Sequence, residues 1–376
     1  MKRIPIVQAI RVQKIAEARA VRKRWRKNKL KRKREMRARM VRKVRHDYKD
    51  WKQLELPDNF CLADNYKKVV RAISQLRARI GKNRYINFNA IRQVDTAAAL
   101  MLAAELEVGK IEAGAHKMTA HDADWNPKVR TLLGQMGFLE LLSADSEMPS
   151  RTEPSKNQIF IKFRSGHKLI GDGTMQMLES LQKHIAPYEL EPELLLHLYV
   201  GIFEAITNTR HHAYKKKNPD EELNEKEKLE EELKRWWISA SVNTETNEIK
   251  IVCYDRGATI PKTIQASKEK SNALASFLKD VLERSPDGQI ILAAISQKRS
   301  STKLANRGKG LSELLRLIER NKQGSLRIYS GEGLAEFHLS TQNEENSDIF
   351  RKLPLKMKGT LVEWSIIPSR STMETH

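Results

Sequence analysis

Cysteine is almost missing from this chain: Cys61 and Cys253 are the only two in 376 residues. They lie far apart in mixed or apolar sequence, and neither has a second Cys or a His at metal-ligand spacing. A disulfide framework and a zinc site are therefore not expected. No run approaches the about 18 consecutive apolar residues of a membrane span, and the start of the chain lacks the apolar core of a secretory signal. No transmembrane segment and a cytoplasmic location are the expectation. The length suffices for two domains, each with a proper core.

Glycine and proline are absent between Pro5 and Pro57, and acidic residues are scarce there. Residues 1–50 hold 21 Lys or Arg against 4 Asp or Glu, which places +17 of the formal +22 in this segment and leaves +5 for the other 326 residues. Met36, Met40, Val44, Tyr48 and Trp51 recur every three to four positions. The pattern predicts a basic helical arm over residues 1–56, up to roughly 75 Å long if unbroken. Lys and Arg surround this helix instead of lying opposite a broad apolar face. Nucleic-acid binding through residues 1–50 is the expectation, with Trp25 available for stacking. A solvated helix docked by its stripe and an anionic membrane surface are the alternatives. Poverty in serine argues against an organellar presequence.

After the arm, "NYKKVVRAISQLRARI" has helical spacing, closed by Gly81 and Asn83. Tyr85, Ile86 and Phe88 read as a short strand, Asp95 and Thr96 as a helix cap, and Ala97 to Leu106 as a strong helix former. "AHKMTAH" is a second strand-like piece, and Pro127 opens a helix that Gly137 ends. This alternation predicts an α/β unit. The order strand, "VDTAAAL", helix, strand, "NPKVRTLLGQMGF" resembles the STAS domain of anti-sigma-factor antagonists and transporter tails, over residues 60–145. The resemblance implies a phosphate-accepting position at the start of the helix. Here Asp95 and Thr96 match, but Ala97 occupies the acceptor position. It also implies a protein partner for this domain.

Residues 142–157 are polar with two prolines and read as a linker. Strands are expected at "QIFIKF", "WWISASV", "EIKIVCYD", "SLRIYS", "AEFHLS" and "TLVEWSII". Helices lie between them, and a charged insertion follows Tyr214, so an α+β sandwich is predicted. Within it, "LLLHLYVGIFEAITNTRHHAY" is a helix apolar on nearly every side, Leu194, Leu195 and Leu196 included, and it is expected to be buried on nearly every side. His197, Gly201, Glu204, Asn208 and then His211 or His212 break that pattern at three- and four-residue steps, which gathers them on one stripe. A carboxylate there needs a protein partner or a ligand cavity. Asp255 closes an apolar strand, Gly308 and Gly310 precede a helix start suited to phosphate, and Gly359 and Thr360 precede the last strand.

Those four elements, in that order over residues 156–368, resemble the GHKL ATP-binding superfamily shared by DNA gyrase B, MutL, histidine kinases and anti-sigma-factor serine kinases. The helix is nearest the last group: Glu204, Ala205, Thr207, Asn208, His212 and Tyr214 fit its N box. The resemblance implies ATP and Mg²⁺ as cofactors. Asn208 would hold the metal, Glu204 would act as general base, and His212 would belong to the same box. Asp255 would accept the adenine amino group, with Gly257 giving the base room. Gly308, Lys309, Gly310 and Leu311 would wrap the phosphates, and Thr360 would lie beneath the adenine. A carboxylate that polarises a nucleophile and a side-chain oxygen that binds a hard cation are chemically suited to these roles.

The glycine box departs from Asp-x-Gly-x-Gly: Thr259 stands at the second glycine. Between the boxes, Lys298, Arg299, Lys303 and Arg307 are either a mobile lid or surface charge. His211 and His212 have no metal-ligand partner at a familiar spacing. Residues 369–376 are a tail. The expected function is an Mg-ATP-dependent switch or slow ATPase joined to a nucleic-acid-binding arm. A serine/threonine kinase acting on a partner protein and a nucleotide-independent nucleic-acid-binding scaffold are the alternatives. Superfamily members often pair, which allows a homodimer.

Overall fold

The computed structural model describes residues 54, 56–79, 87–112, 122–142, 157–167, 171–185, 192–214, 224–268, 286–300, 310–321, 323–339 and 348–368. Residues 1–53 and 55 of the basic arm, the strand-like piece at 115–121 and the tail lie outside them, whereas Leu54 and Leu56, expected at the end of the arm, are buried in the core. Residues 54–376 form one compact unit, distinct from residues 1–53.

The centre of this unit is a seven-stranded sheet. Its strands are β3 (Gln158–Gly166), β4 (Trp236–Asn243), β5 (Ile249–Asp255), β6 (Gly324–Ser330), β7 (Gly333–Leu339), β8 (Asp348–Lys352) and β9 (Thr360–Ile366). The spatial order is β3-β4-β5-β9-β6-β7-β8, with every neighbouring pair antiparallel. The apolar runs expected to be strands are strands; β8, with two charged residues at its end, was not expected, and the charged stretch after Tyr214 holds a short helix, α7 (Glu225–Glu232).

Both faces of the sheet are covered. In β5, Ile249, Ile251 and Cys253 point one way and Val252 and Tyr254 the other, the two-residue period of a strand. The first face carries Trp236, Ile238, Ile328, Val362 and Trp364. It packs against α5 (Gly171–Ile185), α6 (Pro192–Asn208), α9 (Asp287–Ser300) and α10 (Gly310–Asn321). Each fully buried Leu or Ile there contributes roughly 1.5–3 kcal/mol.

The opposite face takes the N-terminal segment. Here α1 (Leu62–Arg79), α2 (Thr96–Glu112), α3 (Pro127–Met136) and the short α4 (Phe138–Leu141) share a core with Phe160, Trp237, Val252, Tyr254 and Leu361 of the sheet. Helix α2 is alanine-rich and buried on nearly every side. Polar contacts pin it to β4: the Trp237 indole donates to Glu107 Oε2 at 2.6 Å, and the Thr96 hydroxyl donates to Ser241 Oγ at 2.7 Å. As the sequence predicts, Asp95 caps α2 through the Ala98 amide, Pro127 opens α3 and Gly137 ends it in the left-handed region at φ 102°; the Asn126 side chain, not singled out from sequence, caps α3.

Two local expectations are corrected. Phe88 is a buried core residue outside any strand, and Tyr85 and Ile86 lie outside the described residues. The strand that pairs is β2 (Gln93–Val94), parallel to β1 (Asn59–Phe60), because Asp58 and Phe60 carbonyls accept from Arg92, Gln93 and Asp95. Helix α6 is not buried all round: Leu196 is 59% exposed and Leu194 and Leu195 are half-buried, since its first turns lie at the rim of the helical layer.

Candidate functional site

The polar residues that break the apolar face converge at one end of the sheet. Asp255 of β5 pairs with Thr360 of β9, and Thr360 pairs with Ser330 of β6, so the three side chains form a row across adjacent strands. All three are buried. The Ser330 and Thr360 hydroxyls are 2.8 Å apart, and the Ile260 amide donates to Ser330 Oγ at 2.9 Å.

Helix α6 closes the row from above. Its continuation, Thr209–Ala213, winds as a π-helix, a local widening that often marks functional sites. There the Thr209 hydroxyl reaches Asp255 Oδ2 at 3.5 Å while also donating to the Ala205 carbonyl at 3.1 Å. The Gly257 amide donates to Asp255 Oδ1 at 2.8 Å. Burial pushes the Asp255 carboxyl up to about 7, against the opposing pull of the Gly257 and Thr360 amides and the Thr209 hydroxyl. Neutral donors thus hold this carboxylate in an apolar setting. It is 6% exposed, so a ligand reaches it only when groups packed against it move.

Asn208, at the end of α6, is half-buried, and its Nδ2 is shielded from solvent with no hydrogen-bond partner among the described residues. Thr207 Oγ1 is in the same condition. Glu204 is half-buried one turn earlier on the helix. An amide that can donate to an anion or turn its oxygen to a cation, beside a carboxylate one turn away, is a donor set that a metal-phosphate group fits.

The turn after β5 is fastened at several points. A β-carbon on Gly257 would sit 2.3 Å from the Ala213 carbonyl oxygen, so glycine is required for contact with the π-turn. This differs from the expected role of giving a base room. Gly359 has φ +77° and lies against the Asp255 carbonyl, where a β-carbon would approach to 1.9 Å. Thr259 is buried just before α8 (Ile260–Lys268), and its carbonyl accepts from the Thr263 amide at 3.0 Å. The Tyr214 hydroxyl donates to the Arg235 carbonyl at 2.8 Å and accepts from the Arg256 amide at 3.2 Å.

Of the residues singled out from sequence, Asp255, Gly257 and Thr360 come together, with Asn208 next to Thr209 at the end of α6. Gly310 is the first residue of α10. Gly308 and Lys309 lie outside the described residues, as do the side chains of His211, His212 and Leu311 and the segment with Lys303 and Arg307.

Sequence reasoning missed Thr209, Ser330, Arg256 and Glu105. Glu105 had a legible signal, a lone carboxylate within the Ala- and Leu-rich part of α2. It is fully buried and accepts from Arg77 Nε at 3.0 Å and from a second Arg77 nitrogen, with Arg256 Nε 3.1 Å away.

Among the described residues no group of His, Cys, Asp and Glu is placed to hold a metal by itself, and no helix is long and apolar enough to cross a membrane. Comparison of the chain with models of protein families, with characterised proteins and with solved structures returns no match.

Proposed function

We propose that the chain is an Mg-ATP-dependent regulatory protein whose region 156–368 is a GHKL-like nucleotide-binding unit, preceded by a STAS-like segment and a nucleic-acid-binding arm. One observation carries this: the row Asp255, Thr360, Ser330 beneath the π-turn of α6, where a buried carboxylate is held by neutral donors alone among its named contacts. An apolar site with one such acceptor suits an exocyclic amino group of a purine, since leaving a buried acceptor unmatched is costly.

In this scheme Asp255 binds the base and Thr360 lies alongside it. Asn208 holds the metal with its side-chain oxygen, and the orphaned Nδ2 is available to a phosphate oxygen. Mg²⁺, when bound, neutralises phosphate charge and orients the terminal phosphate. Glu204 takes the proton from an attacking water or hydroxyl.

The decisive experiment follows the terminal phosphate of γ-labelled ATP with Mg²⁺, with and without nucleic acid, for the full chain and for Glu204→Ala and Asp255→Asn. Free phosphate is expected from the natural chain. Glu204→Ala should lose turnover and keep ATP binding, whereas Asp255→Asn should weaken binding by about tenfold or more, the value of one charge-assisted hydrogen bond. Label on protein, lost in Glu204→Ala, would turn the proposal to a serine/threonine kinase. No ATP binding by the natural chain would remove the nucleotide proposal and leave the scaffold.

A further inference from the structure

Asp255 and Arg256 are neighbours in the chain but project to opposite faces of the sheet. Asp255 faces the π-turn, and Arg256 faces the N-terminal helical layer, where its Nε lies 3.1 Å from Glu105 Oε1. That nitrogen makes no aligned hydrogen bond, so the contact is an ion pair held by position. Glu105 is itself immobilised: it is fully buried in α2, and Arg77 of α1 grips both its carboxylate oxygens. The Arg256 side chain is 9% exposed. Two cations, Arg256 almost enclosed and Arg77 half-buried, therefore share one buried carboxylate, and each fixes the position of the other.

The turn that Arg256 belongs to carries the Gly257 amide that orients Asp255 and the Ala258 amide that donates to the Ala213 carbonyl of the π-turn at 2.6 Å. A constraint on Arg256 is thus a constraint on the groups that shape the acceptor.

We propose that Glu105 is a positioning residue for the candidate nucleotide site: from the N-terminal layer it holds Arg256, and through Arg256 it holds the Asp255–Ala258 turn in its binding shape. This rests on the nucleotide function proposed above. It gives the N-terminal segment a definite task, since any partner that shifts α2 against the sheet would loosen the acceptor and lower nucleotide affinity. Preorganised polar groups lose affinity when they must be ordered on binding.

The test combines backbone hydrogen exchange with nucleotide binding in the full chain. It compares the natural chain, Glu105→Gln, Arg256→Gln and the double variant. Arg256→Gln leaves Glu105 paired with Arg77, so it keeps the proposal testable should Glu105→Gln fail to fold. Each single variant is expected to speed exchange in peptides spanning residues 254–260 by about tenfold, while peptides from β4 and β9 stay protected. ATP affinity should weaken by about fivefold to tenfold, and the double variant should be no worse than the weaker single, as expected for two groups acting through one contact. Unchanged exchange at 254–260 overturns the positioning role whether or not ATP binds. Additive effects on affinity overturn it as well. Faster exchange in a chain whose natural form binds no ATP would keep the mechanical link and remove the site that it serves, which overturns the proposal as stated.

Discussion

The Thr96 hydroxyl donates to the Ser241 hydroxyl at 2.7 Å, and both residues are buried between α2 and β4. The helix start at which the STAS resemblance implies a phosphate acceptor is thereby sealed against the sheet, with Ala97 1% exposed beside it. Phosphate at this place would put two negative charges into the core next to Asp95. Incubation with ATP, alone or with an added kinase, should therefore leave Thr96 unlabelled by mass spectrometry. Thr96→Val should cost about 1–2 kcal/mol by orphaning Ser241, and adding Ser241→Ala should recover much of that. Labelling of Thr96 in the folded chain, or a double variant worse than the sum of the singles, would refute the sealed contact.

Acid should stabilise this fold over part of the pH range. Burial raises the Asp95 carboxyl from 3.8 to about 7, the nearby Glu363 carboxylate adds to the rise, and the Ala98 and Leu62 amides oppose it. Asp255 stands at about 7 for the causes already given, and Glu363 is raised by burial against the pull of Lys250 and Arg327. Folded values above unfolded ones mean that the folded chain holds protons that the unfolded chain has released. The stability from Asp95 and Asp255 is thus full below about pH 4 and is lost as pH rises through about 7, on the order of 4 kcal/mol for each. The urea midpoint should fall between pH 5 and pH 8, and Asp95→Asn and Asp255→Asn should each flatten the slope. A midpoint that rises over that interval, or slopes identical to the natural chain, would show that these carboxyls are ionised in the fold at pH 5.

Strand patterns and caps were readable because their causes are local. The alternation in "EIKIVCYD" is a property of eight residues, and Asp95 and Gly137 act on amides or dihedrals within a turn. Asp255 and Thr360 could be brought together only through the family resemblance, since over a hundred residues separate them; the strand pairing supplies the contact. Glu105 was visible as an oddity in α2, but its partners Arg77 and Arg256 come from a different helix and from the strand turn, and no periodicity connects them. Leu196 was misread for a related reason. Its place on an apolar helix is a matter of spacing, whereas its exposure depends on where the helical layer stops.

Glycine at 257 and at 359 is predicted to be indispensable for different reasons. Gly257→Ala would drive a β-carbon into the Ala213 carbonyl and displace the π-turn from Asp255. Gly359→Ala adds a clash with the Asp255 carbonyl to the strain of a positive φ. The first should weaken ATP binding by about tenfold while costing under about 2 kcal/mol of stability. The second should cost about 3 kcal/mol or more and lower the melting temperature of the whole unit. Thermal melts beside ATP titrations separate the two. Equal melting losses, or a Gly257→Ala chain with natural affinity, would show that the turn has slack and that the π-turn does not depend on it.

Charge alone makes the last prediction, for the arm. Residues 1–50 carry a net +17 while the remainder carries +5, so the electrostatic attraction for a polyanion resides almost wholly in that segment. If about six phosphates are neutralised, the logarithm of the duplex association constant should fall against the logarithm of salt with a slope of about −5, by release of condensed counterions. Deleting residues 1–50 should bring affinity and slope close to zero, and it should leave ATP binding unchanged if the pocket is independent of the arm. Fluorescence anisotropy of a labelled duplex and of a single strand across 50–300 mM salt measures this, using about the ionic range in which such contacts dissolve. A deletion chain that keeps its affinity would place nucleic-acid binding on residues 51–376. Tight binding of the natural chain to anionic lipid vesicles with no binding to either nucleic acid would assign the arm to a membrane surface instead.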